Sequence, residues 1–247
     1  MTDDHYSYRL YADPAMADRF DAMRFSGPIG TLLAEAQEQV VASFLGPLEG
    51  RTVLDVGTGT GRAALGLARR GARVTGVDAS PEMLRVAVAR AAEAGLDAVF
   101  DTGDAHRLAF PDRAFHAAVS LRVLMHTPDW RQCLAELCRV ADDRVVFDYP
   151  AALSLAALQA CSRRLAARLG RQVEAYRVLR SSDVARTLAA AGFRVERAHR
   201  QFVLPIALHK AIGSRAFTVA VEKALAAVGL LGVLGSPVTV VAVRCAR

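Results

Sequence analysis

Cysteine is scarce in this chain. Its four residues, Cys133, Cys138, Cys161 and Cys245, form no Cys-x-x-Cys pair and have no histidine at metal-ligand spacing. That pattern excludes a disulfide framework and argues against a metal site; free thiols in a reducing cytoplasm are expected, and no metal. The opening "MTDDHYSYRLYADP" lacks a charged segment followed by an apolar one, so no secretory leader is expected. Internal repeats and low-complexity linkers are also missing. Only one uncharged stretch approaches bilayer length, "ALAAVGLLGVLGSPVTVVAV" from Ala224 to Val243. Gly229, Gly232, Gly235 and Ser236-Pro237 interrupt it, and "VTVVAV" is rich in β-branched residues. It therefore reads as helix, turn and buried strand rather than a membrane span.

What is present suits a folded globule. With 247 residues, 53% of them hydrophobic, the chain can bury a large core. Its net charge of +6 comes mostly from arginines dispersed among Asp and Glu. The local concentration "RRLAARLGR", Arg163 to Arg171, reads as the solvated face of an amphipathic helix. A nucleic-acid surface would need a basic stripe with interleaved aromatics, and none is found.

From Arg51, apolar runs alternate with helical patterns, the signature of a mainly parallel α/β sheet. "TVLDVG", "ARVTGVDA", "DAVFDTGD", "FHAAVSLRV" and "DRVVFDYP" read as five strands. "GRAALGLARRG", "SPEMLRVAVARAAEAG" and "DWRQCLAELCRV" read as helices, with Ser80 and Asp129 as caps and Pro81 in the first turn. Beyond Pro150, residues to about Leu179 read as helical, "SSDVARTLAAAGF" as a capped helix and "FRVERAHRQFVL" as a strand. "LHKAIGSRAFTVAVEKALAAVG" is helical before the last strand. The first fifty residues read as helical with a break at "FSGPIG".

The most informative stretch is "VLDVGTGTGR", where Gly57, Gly59 and Gly61 follow the first strand and precede a helix. Glycines there let a ligand approach the backbone. A dinucleotide site calls for GxGxxG, whereas this spacing is GxGxG, and no P-loop run of Gly, Lys and Ser/Thr exists.

Taken with "VTGVDAS" and "TGDAHRLAFPDRAFHAAVSLRVLMH", the loop resembles the class I S-adenosylmethionine-dependent methyltransferases, most closely the ubiquinone and menaquinone biosynthesis group. The resemblance covers roughly 51–150. It implies a Rossmann-like, seven-stranded, mostly parallel sheet with helices on both faces. N-terminal and inserted helices would form a substrate lid. A single domain is expected: 1–50 a helical lid, 51–150 the cofactor core, 151–180 a helical insertion and 181–247 the rest of the sheet.

The same resemblance implies S-adenosylmethionine as cofactor and S-adenosylhomocysteine as product. Gly57, Thr58, Gly59 and Gly61 would curl around the methionine portion and present amides, and Asp55 would face its ammonium or hold the loop. Asp78 would accept the ribose hydroxyls. Ala79 and Met83 would pack near the adenine, Asp104, with Ala105 beside it, would accept its amino group, and Leu121 would touch the ligand by backbone.

Methyl transfer from a sulfonium needs positioning more than side-chain chemistry, and a base only if the acceptor carries a proton. Candidate bases are His126, His106 and the pair Asp148-Tyr149. His126 is the catalytic choice, and His106 reads as structural. The relatives that methylate amino groups of bases or glutamine carry Asn-Pro-Pro-aromatic after strand four; this chain has "SLRVLMH". A small, hydrophobic acceptor such as a quinone precursor, lipid or polyketide is expected. Tyr8, Tyr11, Phe20, Met23, Arg24, Phe25, Met125 and Tyr149 are the candidate lining. Two other readings stay open: an RNA methyltransferase and a cofactor-binding regulator without turnover. A cytoplasmic monomer or homodimer is expected, with peripheral membrane contact left open.

Overall fold

The computed structural model describes residues 13–168 and 176–246. Tyr8 and Tyr11 lie outside them. Two helices come first, α1 (Pro14–Phe25) and α2 (Gly27–Leu45). The expected break at "FSGPIG" narrows to Ser26, which is extended, because Gly27 takes a φ of +72° and Pro28 already sits in the first turn of α2.

The alternating unit follows: β1 (Thr52–Val56), α3 (Arg62–Ala68), β2 (Arg73–Asp78), α4 (Pro81–Glu93), β3 (Ala98–Thr102), β4 (Phe115–Ser120), α5 (Trp130–Val140) and β5 (Ala141–Tyr149). The rest of the described chain is α6 (Leu155–Arg168), α7 (Ser181–Ala190), β6 (Phe193–Phe202), α8 (Ile206–Ile212), α9 (Arg215–Ala227), α10 (Leu230–Leu234) and β7 (Ser236–Arg244). The helical reading of 151–179 therefore holds for α6 but not throughout. Residues 176–180 are extended, and Leu179 bridges back to Ala151. The long uncharged stretch divides into the end of α9, α10 and β7, and no helix among the described residues is long and apolar enough to cross a membrane.

The strands form one seven-stranded sheet in the order β3-β2-β1-β4-β5-β7-β6. β1 to β5 pair in parallel, and β7 runs antiparallel to both β5 and β6. Side-chain alternation on β1 sets its two faces. Leu54 and Val56 join the core beneath α5 and α7, while Val53 joins the core beneath α2 and α3. Asp55 shares the second face, which aims its carboxylate at the start of α3. The order of strand addition reverses between β1 and β4, so a crevice opens at the carboxyl ends of these two parallel strands, where open α/β sheets bind ligands.

Beyond the sheet edge, a buried polar cluster fixes the turn after β6. Glu222 accepts hydrogen bonds from the Val203 and Leu204 amides at 2.7 and 2.9 Å. Its Oε1 lies 2.8 Å from His209 Nε2, and His209 Nδ1 lies 3.0 Å from Thr218 Oγ1. His209 and Thr218 are fully buried. The cluster resembles a catalytic triad in composition, but its atoms are used to satisfy backbone and anchor α8 to α9.

Candidate functional site

Two neighbouring cavities open along the crevice. The first, about 540 Å³, is lined by the β1–α3 loop, the ends of β2 and β3, the turn after β4 and the inner side of α1. The second, about 380 Å³, lies between α1, the end of β5, α6 and the Gln201–Ala207 segment. Arg24, Phe25, Arg122 and His126 line both, so the cavities share a wall.

In the first cavity the glycine loop is tied to the protein on every side. Gly57 and Thr58 donate their amides to Val77 O at 2.7 and 3.1 Å, Gly61 donates to Thr58 O, and Gly59 donates to Asp78 Oδ2 at 2.8 Å. Each of these amides, the three glycine amides expected to face a ligand among them, is engaged within the protein. Gly57 is glycine because φ is +71° and a Cβ would stand 2.2 Å from Val123 Cγ2. Gly61, at φ +80°, faces Ala87. Gly59, at φ +55°, differs, because a Cβ there would meet nothing and would project into open space. That cradle is the loop's offering to a ligand.

Four carboxylates line this cavity. Asp55 Oδ2 accepts from Thr58 Oγ1 at 2.8 Å and from the Ala64 amide at 3.1 Å, and the residue is buried. Of its two expected roles, holding the loop is the one seen. Burial pushes its carboxyl up to about 6, against the hydrogen bond from Thr58 and the charge of Arg62. Asp78 ends β2, with Oδ2 on Gly59 and Oδ1 accepting from the Ser80 amide at 2.9 Å. Burial pushes this carboxyl up as well, and the same amides restrain it.

Asp104 Oδ1 accepts from the His106 amide and lies 2.7 Å from His106 Nδ1. Burial works to raise this carboxyl, but the His106 hydrogen bonds prevail and hold it below the usual range. The Asp129 amide points to His106 Nε2 at 3.4 Å, so His106 is a strut for Asp104, as its structural reading anticipates. The fourth carboxylate, Asp21 on α1, escaped the sequence reading. Its Oδ2 takes Thr60 Oγ1 at 3.0 Å and the Arg90 guanidinium, while Oδ1 is buried with no hydrogen-bond partner among the described residues. Nothing in the "DRFDAMRF" pattern distinguishes Asp21 from Asp18, which pairs at the surface with Arg85; only the packing of α1 on α4 separates them.

Ala79, Met83, Ala105 and Leu121 line the first cavity, as does His126. Met83 is nearly inaccessible, so it contributes only an edge. Arg24 lines both cavities and Met125 the second. Tyr149 also lines the second, but its hydroxyl donates to Ser181 Oγ at 3.0 Å and its ring packs on Phe147, which makes it wall rather than a free polar contact. Of the lid residues named from sequence, Phe20 and Phe25 face the first cavity and Met23 and Phe25 the second.

Arg122 takes a left-handed φ of +63° at the end of β4, and its amide donates to Asp148 Oδ1. Asp148 Oδ2 accepts from Gln37 Nε2 at 3.2 Å, and Gln37 Oε1 accepts from Arg62. The strained residue is thus clamped from β5 and α2, and the clamp runs back to the first turn of α3. Strain held this way at a cavity rim is typical of working sites.

Comparison with known proteins agrees with this geometry. Residues 53–143 match the family model described as a methyltransferase domain. The ubiquinone biosynthesis O-methyltransferase of Alkalilimnicola ehrlichii is 46% identical over 90 residues, 36% of this chain and 36% of its own. Methyltransferase GfsG of Streptomyces halstedii is 34% identical over 146 residues, 57% of this chain and 48% of its own. The chain thus spans less than half the length of these curated relatives. Magnesium protoporphyrin IX methyltransferase of Synechocystis PCC 6803, solved with S-adenosylhomocysteine, superposes with a TM-score of 0.68 at 20% identity, covering 96% of this chain and 98% of its own. That likeness is one of fold. The domain match spans the glycine loop and the strands around it, so residues 53–143 are similar to a methyltransferase domain, set in a fold shared with known class I methyltransferases.

Proposed function

We propose that this chain transfers a methyl group from S-adenosylmethionine, held in the first cavity, to a small acceptor held in the second. The observation that carries the reading is the shared wall: two cavities of ligand size meet at Arg24, Phe25, Arg122 and His126. The groups of the first cavity fit the cofactor. The Gly59 cradle leaves room beside the backbone, and Asp21 Oδ1 is a buried acceptor in need of a donor, which an ammonium supplies. Asp78 receives the Gly59, Ser80 and Ala79 amides, and a carboxylate has about four acceptor sites, so room remains for a ribose hydroxyl. Asp104, steadied by His106, would accept the adenine amino group between Ala79, Met83 and Ala105, with Leu121 beneath.

Bound there, the cofactor supplies a methyl group on a positively charged sulfur. The chain's own part is to orient and to exclude water. Holding both partners in line contributes up to about 7–11 kcal/mol against the barrier. α1 and α2 serve as the lid, with 1–50, 51–150, 151–180 and 181–247 acting as parts of one domain. His126, at the junction, takes the proton from an acceptor that carries one. The acceptor is a small molecule with an apolar body, fitting Met23, Phe25, Leu33 and Ile206. An RNA acceptor is disfavoured because the arginines are dispersed among Asp and Glu instead of forming a basic stripe with interleaved aromatics.

The test is label transfer from methyl-tritiated S-adenosylmethionine into fractionated cell extract. The reading expects label in low-molecular-weight, organic-soluble material. Label in RNA or protein contradicts it, and intact cofactor binding without any labelled product favours a regulator. His126→Asn should lower kcat far more than it weakens cofactor binding.

A further inference from the structure

A surface helix ordinarily buries its apolar stripe and turns charged or polar side chains outward. α9 does the reverse. Its buried positions are Thr218 and Glu222, which join the polar cluster around His209. Its exposed positions include Ala216, Phe217, Val219, Ala220, Ala224 and Ala227. The cluster ties α8 to α9, and α10 packs against α9. These neighbours extend the same apolar surface, with Leu208 and Ile212 of α8, Val228 in the turn after α9 and Val233 of α10 all exposed. Exposed apolar side chains gathered in this way mark a surface that a partner covers. The charge around it is positive on balance. Within 193–235 stand Arg194, Arg197, Arg200, Lys210, Arg215 and Lys223, against the acids Glu196 and Glu222, of which Glu222 is buried. From α2, Glu35 also reaches in and pairs with Arg215 at 2.8 Å, which does not reverse the balance.

We propose that the outer face of α8, α9 and α10 docks on an anionic lipid bilayer. The helices lie in the plane of the interface, with Phe217, Val228 and Val233 among the upper acyl chains and Arg215 and Lys223 at the head groups. No helix among the described residues is long and apolar enough to cross a membrane, so the contact is peripheral. A second copy of the chain fits less well, because a twofold interface sets the patch against itself and brings cation to cation. A nucleic acid fits less well because stacking needs aromatic rings, and Phe217 is the one exposed aromatic within 193–235. Ile206 and Ala207 of α8 also line the second cavity, so docking would hold that cavity close to the bilayer, where an apolar acceptor is concentrated. This consequence rests on the second cavity being the acceptor site; the docking itself does not.

The test is co-sedimentation of the full chain with vesicles of phosphatidylcholine alone and of phosphatidylcholine mixed with phosphatidylglycerol. Binding to the mixed vesicles should be about tenfold tighter than to the neutral ones and should weaken as salt rises. The triple variant Phe217→Ser/Val228→Ser/Val233→Ser should bind the mixed vesicles about tenfold more weakly, with its circular dichroism and S-adenosylhomocysteine affinity unchanged. Independently of that variant's folding, Phe217→Trp should shift its emission to the blue on mixed vesicles and be quenched by brominated lipid. No association with mixed vesicles, association that the folded triple variant keeps in full, or Phe217→Trp emission that is neither shifted nor quenched overturns the proposal. So does a lipid-free, concentration-dependent dimer that the triple variant abolishes, which assigns the face to a second copy. Failure of S-adenosylhomocysteine to bind the wild-type chain would instead overturn the proposed function, and the vesicle comparison would still be readable without it.

Discussion

The two cavities share a wall and differ in almost everything else. The first is built from consecutive strand ends, and its distinctive groups are the carboxylates Asp21, Asp55, Asp78 and Asp104. The second is assembled from α1, the turn after β4, α6, the segment after β6 and α8, and its distinctive groups are cations. The contrast teaches that one sheet can carry one site fixed by its own local turns and a second site built by the separate segments laid over it.

The largest expected effect comes from breaking the first side alone. Gly57→Ala forces a Cβ into Val123 at a left-handed φ, so the loop must shift. Cofactor binding should be lost by at least a hundredfold, read by calorimetry. Gly59→Ala meets no protein atom, but its Cβ would stand in the cradle proposed for the cofactor, so it should weaken cofactor binding with a smaller cost to folding than Gly57→Ala.

Breaking the second side should look different. Glu222→Ala leaves two buried amides and His209 without their acceptor, a loss of about 3 kcal/mol or more in unfolding free energy. Denaturant titration measures it. Because the affected wall is Val203 to Lys210, acceptor binding should weaken while S-adenosylhomocysteine binding in the folded fraction stays.

A smaller effect sharpens the comparison by pH. Asp55, raised from 3.8 to about 6, binds its proton more tightly in the folded chain than in the unfolded one. Its contribution is therefore full below about pH 4 and lost as pH rises through about 6, a change of about 3 kcal/mol at most. Asp55→Asn should remove that slope, so that wild type and variant differ more at pH 7 than at pH 4 in unfolding midpoint. A difference independent of pH would contradict it.

Much of the first side was legible in the sequence because each part is local. The glycine loop, Asp78 and Asp104 each lie within a few residues of a strand end, and strand ends are visible in the alternation. Three things were not legible. The loop amides look available in sequence but are consumed by Val77, Thr58 and Asp78 across the fold. Asp21 matters only because α1 packs where Thr60 and Arg90 reach it. Arg163, Tyr176 and Lys210 are distant in sequence, and helical periodicity cannot tell an arginine facing solvent from one facing a cavity.

The central claim is that an adenosyl ligand occupies the first cavity through Asp78. It is tested most directly by calorimetric titration of the chain and of Asp78→Ala with S-adenosylhomocysteine and with NAD. A hydrogen bond to a charged acceptor contributes about 1.5–3 kcal/mol, so the loss of even one should weaken binding by about tenfold or more. The account predicts that S-adenosylhomocysteine binds and NAD does not, and that Asp78→Ala loses the binding. NAD binding alone, or S-adenosylhomocysteine binding untouched in Asp78→Ala, would contradict it.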